Sequence, residues 1–459
     1  MTRTHFQNAL VFSGFDEPQP GMTVVVEGSK IVSVSKGGGP TLLPGDRTLD
    51  LAGRMLMPGM TIGHWHPEYP NANPSEVNDV FVSLERPPSY HAAMAVRNLQ
   101  IALFSGFTSV VGAGCAYDID VSLRMAIDEG VFSGPRITPA GHAIITTGSG
   151  NDRAKWWYNI RPDGSRGVFV VGAELYADGA DAFKRGVRDE IRRGVEIVKI
   201  FPTGGHGAIS SPVQRGLSRS ELLVVIETAH ERGARVRAHC VGSAAILECV
   251  QNGVDIIDHG DGLDDACIEA MVKAGTILVP SMSFLKTMLS LPKGDVHWAT
   301  LEQIRKDFLH LVQYLPKAHA AGVTIVPGDD YGLGVLPHAL GIYARDFQIH
   351  VEDVGISARD VLGWATVHGA RMQQRADLGA IADGMTADLL VVEGDPVQDI
   401  TILADPERTL SAIMIGGEFV KDVMGAALAK HAGSGAAARP GRPVSIVAFA
   451  GEKDRESAR

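Results

Sequence analysis

Short apolar runs separated by helical patterns are the feature that most constrains how this chain can fold. Eight such runs lie between residues 56 and 329, namely 56–66, 107–112, 136–142, 195–201, 235–240, 254–260, 276–282 and 323–329. A strand and then a helix, repeated eight times, predicts an α/β protein built as a parallel (β/α)8 or TIM barrel with its helices outside. A doubly wound open sheet is the competing arrangement, but no G-x-G-x-x-G sequence follows the first run.

One helix of this series has recognisable start and stop signals. Ser218 is followed by Glu221 at the capping-box spacing, in which each side chain bonds the other residue's backbone N–H. Gly233 comes next after the apolar stripe, and glycine is favoured just beyond the last turn of a helix. We therefore expect a helix between these signals.

Both ends of the chain are rich in strand-forming residues. Residues 23–34 are β-branched around a Glu-Gly-Ser-Lys turn, and residues 387–393 and 410–420 form further apolar runs. We expect residues 1–57 and 381–425 to form a β-sandwich domain built from both termini, and residues 58–380 to form the barrel between them. Residues 426–459 are low in complexity and are predicted to be a tail.

Charge and composition limit the classes of partner that the protein can have. Acidic residues exceed basic ones, for a net charge of −11, which argues against nucleic acid or an anionic membrane as the main partner. The four cysteines form no C-x-x-C pair, there is no apolar run of 18 residues, and the first residues lack a signal-peptide core. These features predict a cytoplasmic protein. A homo-oligomer and a small-molecule partner are further expectations, which composition alone does not establish.

Polar residues occur at the carboxyl ends of the predicted barrel strands, where such barrels build their active sites. The first run ends in His64-Trp65-His66, and alternation places both imidazoles on one face of the strand, with Trp65 in the core. The fifth and sixth runs end in His239 and His259, and the eighth in Asp329. Together these side chains predict a divalent-metal site.

Lys199 lies in the fourth run and shares its inward face with Val195 and Ile197. An ammonium group has three donors and no lone pair, so it cannot bind a cation as it stands. One interpretation is a salt bridge or a side chain that reaches solvent. The other is a carbamate, formed by a neutral amine with carbon dioxide, that bridges two metal ions.

These motifs resemble the amidohydrolase superfamily, in its imidazolonepropionase-like and Xaa-Pro-dipeptidase-like branch of metal-dependent hydrolases. The resemblance spans about residues 5–425. It rests on MPGMTIGHWH at 57–66, VKIFPTGG at 198–205, AHC at 238–240, GVDIIDHG at 253–260, Gly328-Asp329, LGAIADGMTADL at 378–389 and EGDP at 393–396. It implies a barrel, a β-sandwich from both termini, and a centre of two divalent ions, zinc being the expected metal.

The resemblance also implies a role for each residue that matches a family motif. His64 and His66 would hold one ion, His239 and His259 the second, and carboxylated Lys199 would bridge them. Asp329 would bind the first ion and shuttle the proton. Two departures stand out: Ile62 occupies a position where the family usually has aspartate, and Cys240-Val241 replaces the Ala-Tyr of many proline dipeptidases.

Other polar and aromatic residues near the predicted site have two interpretations each. His142 would bind the substrate carbonyl and assist catalysis, or be a capping or core histidine; His206 would contact substrate, support the metal ligands or face solvent. Tyr331 would contact substrate or pack in its loop, and Trp156 and Trp157 would form a lid over the substrate or a subunit interface. Arg237 would form a buried ion pair or reach a substrate carboxylate.

The leading functional hypothesis is a binuclear hydrolase of an amide-type C–N bond in a small, rather apolar molecule, such as an N-acyl amino acid, an aryl amide, or an aryl urea or carbamate. The alternatives are a mononuclear deaminase, a Xaa-Pro dipeptidase of the same superfamily, and a non-enzymatic assembly protein. Lys199 is present and no H-x-x-E follows His239, which argues against the deaminase.

Overall fold

The structure is a computed structural model that describes residues 2–69, 86–149, 152, 169–206, 211, 214–291, 298–332 and 336–424. Residues up to Asp422 form one compact unit, and Val423–Arg459 form a second. Of the second unit only Val423 and Met424 are described. The predicted tail at 426–459, and also Trp156 and Trp157, lie outside the described residues.

The strands are numbered in chain order. They are β1 (Arg3–Val11), β2 (Gln19–Glu27), β3 (Lys30–Lys36), β4 (Arg47–Asp50), β5 (Met55–Pro58), β6 (Met60–Trp65), β7 (Phe107–Gly112), β8 (Arg136–Thr138), β9 (Ala143–Ile145), β10 (Phe169–Val171), β11 (Glu174–Tyr176), β12 (Ile197–Ile200), β13 (Arg235–Cys240), β14 (Ile256–His259), β15 (Ile277–Val279), β16 (Thr324–Ile325), β17 (Leu389–Val392), β18 (Leu410–Ile415) and β19 (Glu418–Asp422).

The described α-helices are numbered in the same way. They are α1 (Pro88–Phe104), α2 (Ile119–Asp128), α3 (Ala180–Arg193), α4 (Arg219–His230), α5 (Ser243–Asn252), α6 (Asp265–Ala274), α7 (Met282–Leu289), α8 (Trp298–Ala321), α9 (Ile342–Glu352), α10 (Ala358–Gly363), α11 (Gly369–Met372) and α12 (Pro406–Thr409). A π-helical turn covers Trp364–His368 and a 3-10 turn covers Ile400–Ala404. The capping box predicted for α4 is present, with Ser218 and Glu221 bonded reciprocally. No helix in the described ranges is long and apolar enough to cross a membrane.

Parallel strands form the larger part of the fold. β6, β7 and β8 pair in parallel, and β9, β12, β13, β14, β15 and β16 follow one another in a second parallel array. The backbone N–H of Gly63 donates to the Pro327 carbonyl at 2.7 Å, which joins the segment after β16 to β6. Each of the eight predicted runs contains a strand, and this mixed α/β arrangement is consistent with a (β/α)8 barrel.

The two ends of the chain meet in one further sheet, with the strand order β19-β18-β17-β5-β1-β2-β3 and β4 paired to β1. Antiparallel pairing of β17 with β5 joins the C-terminal strands to the N-terminal ones. The first predicted run is therefore divided at Gly59, because β5 belongs to this sheet and β6 to the parallel array. A Cβ at Gly59 would lie only 2.0 Å from Thr108 Oγ1, so only glycine fits at this junction.

The inner face of the parallel array changes from apolar to polar along β12 and β14. Ile197 and Ile256 belong to a small apolar cluster that also contains Val111 and Val326. Two residues further along the same strands come Lys199 and Asp258, both buried. Because i and i+2 share a face, the charged residues lie at the carboxyl ends of the strands, directly above this apolar layer.

Candidate metal centre

His64 and His66 lie side by side at the end of β6. Their Nε2 atoms are 3.1 Å apart, and both face the same oxygen of Asp330, at 2.9 Å from His64 and 3.2 Å from His66. A zinc–nitrogen bond of about 2.0–2.1 Å in tetrahedral geometry separates two ligand atoms by about 3.3 Å. These three atoms therefore have the donor chemistry and the spacing of a divalent-metal site.

The other nitrogen of the His66 ring is hydrogen-bonded, and the other nitrogen of the His64 ring faces a carboxylate. Nδ1–H of His66 donates to the Gly114 carbonyl at 2.7 Å, which leaves the Nε2 lone pair for a ligand. His64 Nδ1 lies 3.2 Å from an oxygen of Asp258, although without good hydrogen-bond geometry. Burial lowers the pKa of His64, and a neutral imidazole is the form that binds metal. Trp65, between the two histidines, is fully buried in the apolar core, as predicted.

The carboxylate at the histidines comes from Asp330, not from Asp329 as the sequence analysis expected. The Asp329 carboxylate accepts hydrogen bonds from the backbone N–H groups of Phe284, at 2.9 Å, and Asp330, at 2.7 Å. Burial, followed by the nearby charge of Asp346, raises the pKa of Asp329 well above its usual range. The strand β16 ends at Ile325, so strand alternation does not extend to residue 329.

Lys199 points inward from β12 and is fully buried. Its Nζ donates to Asp258 Oδ2 at 2.5 Å, so the unmodified side chain forms the salt bridge that was one of its two predicted interpretations. Burial lowers the pKa of Lys199, partly opposed by the charge of Asp258. A lowered pKa favours the neutral amine, which is the form that reacts with carbon dioxide.

His239 and His259 come together at the ends of β13 and β14, with ring centroids 4.4 Å apart. His259 Nδ1 lies 2.8 Å from the Ser281 hydroxyl. The backbone of His259 has φ of +68°, a conformation that residues other than glycine rarely adopt. Burial lowers the pKa of His239 to about 3 and that of His259 well below its usual value. Both rings are therefore neutral and able to act as ligands.

His206 lies within the same group of side chains. Its ring stacks on that of His259 at 4.0 Å, and Nδ1 lies 2.7 Å from the buried Asp261. Its Nε2 is buried without a hydrogen-bond partner among the described residues, and His206, His259 and Asp330 are within ligand distance of one another. Burial lowers the pKa of His206, but Asp261 outweighs this and raises the pKa to about 9. His206 is thus not the solvent-facing side chain that one interpretation expected, and Asp261, two residues after His259, was not anticipated.

His142 lies on the outer side of the parallel strands rather than at the histidine group. Ala143 is opposite Lys199 in the parallel pairing, so Ala143 faces inward and His142 faces outward. His142 Nδ1 lies 3.1 Å from Glu190 in α3 and 3.2 Å from Asp118. The expected contact with substrate is therefore not supported, and the environment fits the alternative of a core histidine.

Tyr331 also differs from the expected substrate contact. Its side chain is fully buried, and its ring packs edge-on against Tyr343 with centroids 4.7 Å apart. This environment fits the alternative of a packed loop aromatic. Arg237 forms a buried ion pair with Asp258, as one interpretation predicted.

Comparison with known proteins identifies the family of the chain. The model of the amidohydrolase family matches residues 55–420, so the chain belongs to the amidohydrolase family. It is 28% identical over 386 residues to an ochratoxinase of Aspergillus niger, across 80% of this chain and 76% of that protein.

Two solved structures extend the similarity. A prolidase complexed with N-methylphosphonate-L-proline is 28% identical, with a TM-score of 0.75 over 92% of this chain and 100% of that one. A Xaa-Pro dipeptidase with bound methionine in its active site is 25% identical, with a TM-score of 0.79 and the same coverage. The chain is a hydrolase that acts on carbon–nitrogen bonds, and its histidine and aspartate groups fit the divalent metal typical of the family.

Proposed function

We propose that this protein is a binuclear metal-dependent amidohydrolase that cleaves an amide-type C–N bond in a small, rather apolar molecule. The observation that carries the proposal is the position of Asp330, which is within ligand distance of His64 with His66 and also of His206 with His259. One carboxylate between two groups of imidazoles suits two cations held side by side.

The proposed ligands combine this position of Asp330 with the family resemblance. The resemblance assigns His239 rather than His206 to the second ion, in keeping with the raised pKa of His206. His64, His66 and Asp330 would hold one ion, and His239 and His259 the second. The amine of Lys199 would add to carbon dioxide and release one proton, and the resulting carbamate would bridge the two ions. The nitrogen and oxygen donors suit zinc, which is the metal we propose.

Two divalent ions at such a site lower the pKa of a bound water toward neutrality and polarise the carbonyl under attack. Asp330 takes the role first predicted for Asp329: it accepts the proton of the attacking water and passes it to the leaving nitrogen. Such acid–base assistance typically contributes ~10²–10⁴-fold to the rate. The Asp329 carboxylate is unsuited to this because two backbone N–H groups already hold it.

On the substrate side, His206 is the first candidate for a contact. Asp261 engages its Nδ1, so the buried Nε2 is the atom left to meet a bound substrate. We also propose that Trp156 and Trp157 form a lid over the substrate. His142 and Tyr331 are not among the proposed substrate contacts, because each is buried among other side chains.

The substrate class to test first is an amide-bonded amino acid, since the similar proteins include an ochratoxinase, a prolidase and a Xaa-Pro dipeptidase. Aryl amides and aryl ureas or carbamates come next. We also propose that the sheet formed by both ends of the chain is the β-sandwich predicted for residues 1–57 and 381–425, that the enzyme is a cytoplasmic homo-oligomer, and that it binds neither nucleic acid nor membranes.

The test is a hydrolysis screen of the protein stripped of metal and then reconstituted with zinc. The panel contains N-acyl amino acids, Xaa-Pro dipeptides, aryl amides and aryl ureas, with product amines measured by mass spectrometry. We expect hydrolysis that requires added metal and is lost in the double variant His64→Ala/His66→Ala. Two bound metals without hydrolysis of any C–N substrate would contradict the proposal.

A further inference from the structure

Arg237 occupies the centre of the parallel array and connects four of its strands. It extends from β13, and its side chain is fully buried. Its Nε and Nη2 donate to the Asp258 carboxylate of β14 at 2.6–2.9 Å. Nη1 donates to the Gly112 carbonyl of β7 at 2.8 Å, and Nη2 to the Gly63 carbonyl of β6 at 2.7 Å. Every nitrogen of the guanidinium group therefore has an acceptor.

Two of these contacts lead directly to proposed metal ligands. Asp258, held by Arg237, lies 3.2 Å from His64 Nδ1 and 2.5 Å from Lys199 Nζ. Gly63 is the residue before His64, so the bond to its carbonyl fixes the backbone that carries the first ligand. Carboxylates that contact the outer nitrogen of a ligand histidine orient the ring and tune its basicity.

Charge gives Arg237 a second role, which rests on the proposed function. Unmodified Lys199 is a cation that shares the charge of Asp258 with Arg237. Once carboxylated, Lys199 becomes an anion and can no longer neutralise Asp258. Arg237 would then be the cation that remains paired with the buried Asp258, and a buried carboxylate without a partner is strongly unfavourable.

We propose that Arg237 is a positioning residue of the metal centre. Through Asp258 and the Gly63 carbonyl it orients His64, and it stays paired with Asp258 when the Lys199 side chain is carboxylated. Lysine is a poor replacement, because a single ammonium cannot reproduce the planar fork that reaches Asp258 and two carbonyl groups at once.

The experiment compares Arg237→Lys and Arg237→Met with Arg235→Lys as a matched control. Arg235 lies two residues earlier on the same strand, is also buried, and donates to the Met372 carbonyl rather than to any proposed ligand. Three quantities are measured: the zinc dissociation constants from chelator competition, the absorption spectrum of the cobalt-substituted protein, and the melting temperature of the metal-free protein.

Both Arg237 variants are expected to bind the first zinc ion about 10- to 100-fold more weakly, the usual scale for the loss of a group that orients a ligand. Their cobalt spectra should also change, while Arg235→Lys keeps the wild-type affinity and spectrum. If Arg237→Met does not fold, Arg237→Lys carries the test.

Wild-type zinc affinities and cobalt spectra in Arg237→Lys, with only a lower melting temperature, would overturn the inference and make Arg237 purely structural. Wild-type protein that binds no metal would instead overturn the proposed function, so the two failures are distinguishable.

Discussion

Two buried groups of histidines and carboxylates differ in charge although they are alike in spacing. Asp118, His142 and Glu190 lie within ligand distance of one another, as do His64, His66 and Asp330; in each group the possible ligand atoms are within 4.8 Å. Distance alone therefore does not separate a metal centre from a structural ion pair.

The charge of the histidine rings distinguishes the two groups. On the outer side of the parallel strands one histidine faces two carboxylates, and Arg193 also contacts Asp118. Burial lowers the pKa of His142, but Asp118 and Glu190 outweigh this and raise it to about 10, so the ring is a cation. In the histidine group at the ends of the parallel strands, the pKa values of His64, His239 and His259 are lowered, whereas Asp261 raises that of His206. Only neutral rings offer lone pairs to a metal, which favours His64, His239 and His259 as ligands over His142.

The largest effect is expected from Lys199→Ala. Loss of the proposed bridging ligand should reduce the metal content from two ions toward one or none and abolish nearly all hydrolysis. Metal content is measured by inductively coupled plasma mass spectrometry, with turnover measured on the best substrate of the screen. Bicarbonate with a short-chain carboxylic acid should restore part of the activity. A variant with two metals and full turnover would refute the bridging role.

A matched pair of neighbouring carboxylates gives the next test. Asp330→Asn should lower kcat by ~10²–10⁴, because the amide cannot accept a proton. Asp329→Asn should have a much smaller effect on kcat, since the Asp329 carboxylate only accepts two backbone hydrogen bonds. The reverse ranking of the two kcat values would return the catalytic role to Asp329.

Asp329 and Asp330 show which side-chain positions can be predicted from the sequence. Alternation along regular strands correctly placed Lys199 and the pair His64 and His66, because β12 and β6 carry them or end next to them. The position of Asp329 at the end of a run did not place it at the histidines, since β16 ends at Ile325. His142 fits the second of its two interpretations, because the third strand is interrupted between β8 and β9, with Gly141 at φ of +58°.

Contacts between distant parts of the chain could not be predicted from the sequence either. The pairing of Arg237 with Asp258 and that of His206 with Asp261 join residues from different loops or strands, and neither spacing predicts a contact. The strands at both ends of the chain, in contrast, were visible as β-branched runs, although not the division of the first run at Gly59.

A smaller effect, on KM, is expected when His206 is replaced. His206→Asn removes the Nε2 atom that we propose meets the substrate. Because the raised pKa makes His206 a cation at neutral pH, the lost hydrogen bond is worth about 1.5–3 kcal/mol, which corresponds to an increase in KM of about 13- to 160-fold. Metal content should not change, and this is the control that separates a substrate contact from a ligand. Loss of one metal ion in this variant would make His206 a ligand, and unchanged KM would exclude it from the site.

The smallest effect on function is expected from His142→Gln. Metal content and KM should match the wild type, whereas removal of a buried charged partner should cost on the order of 3–5 kcal/mol of unfolding free energy. The folded pKa of about 10 lies above the ordinary value of 6.5. The stabilisation by His142 is therefore fully present below about pH 6.5 and is lost as the pH rises toward 10. Denaturant unfolding of both proteins between pH 6 and 10 should show a difference that is largest at pH 6 and shrinks steadily. A lower metal content in this variant, or a difference independent of pH, would erase the contrast between the two groups.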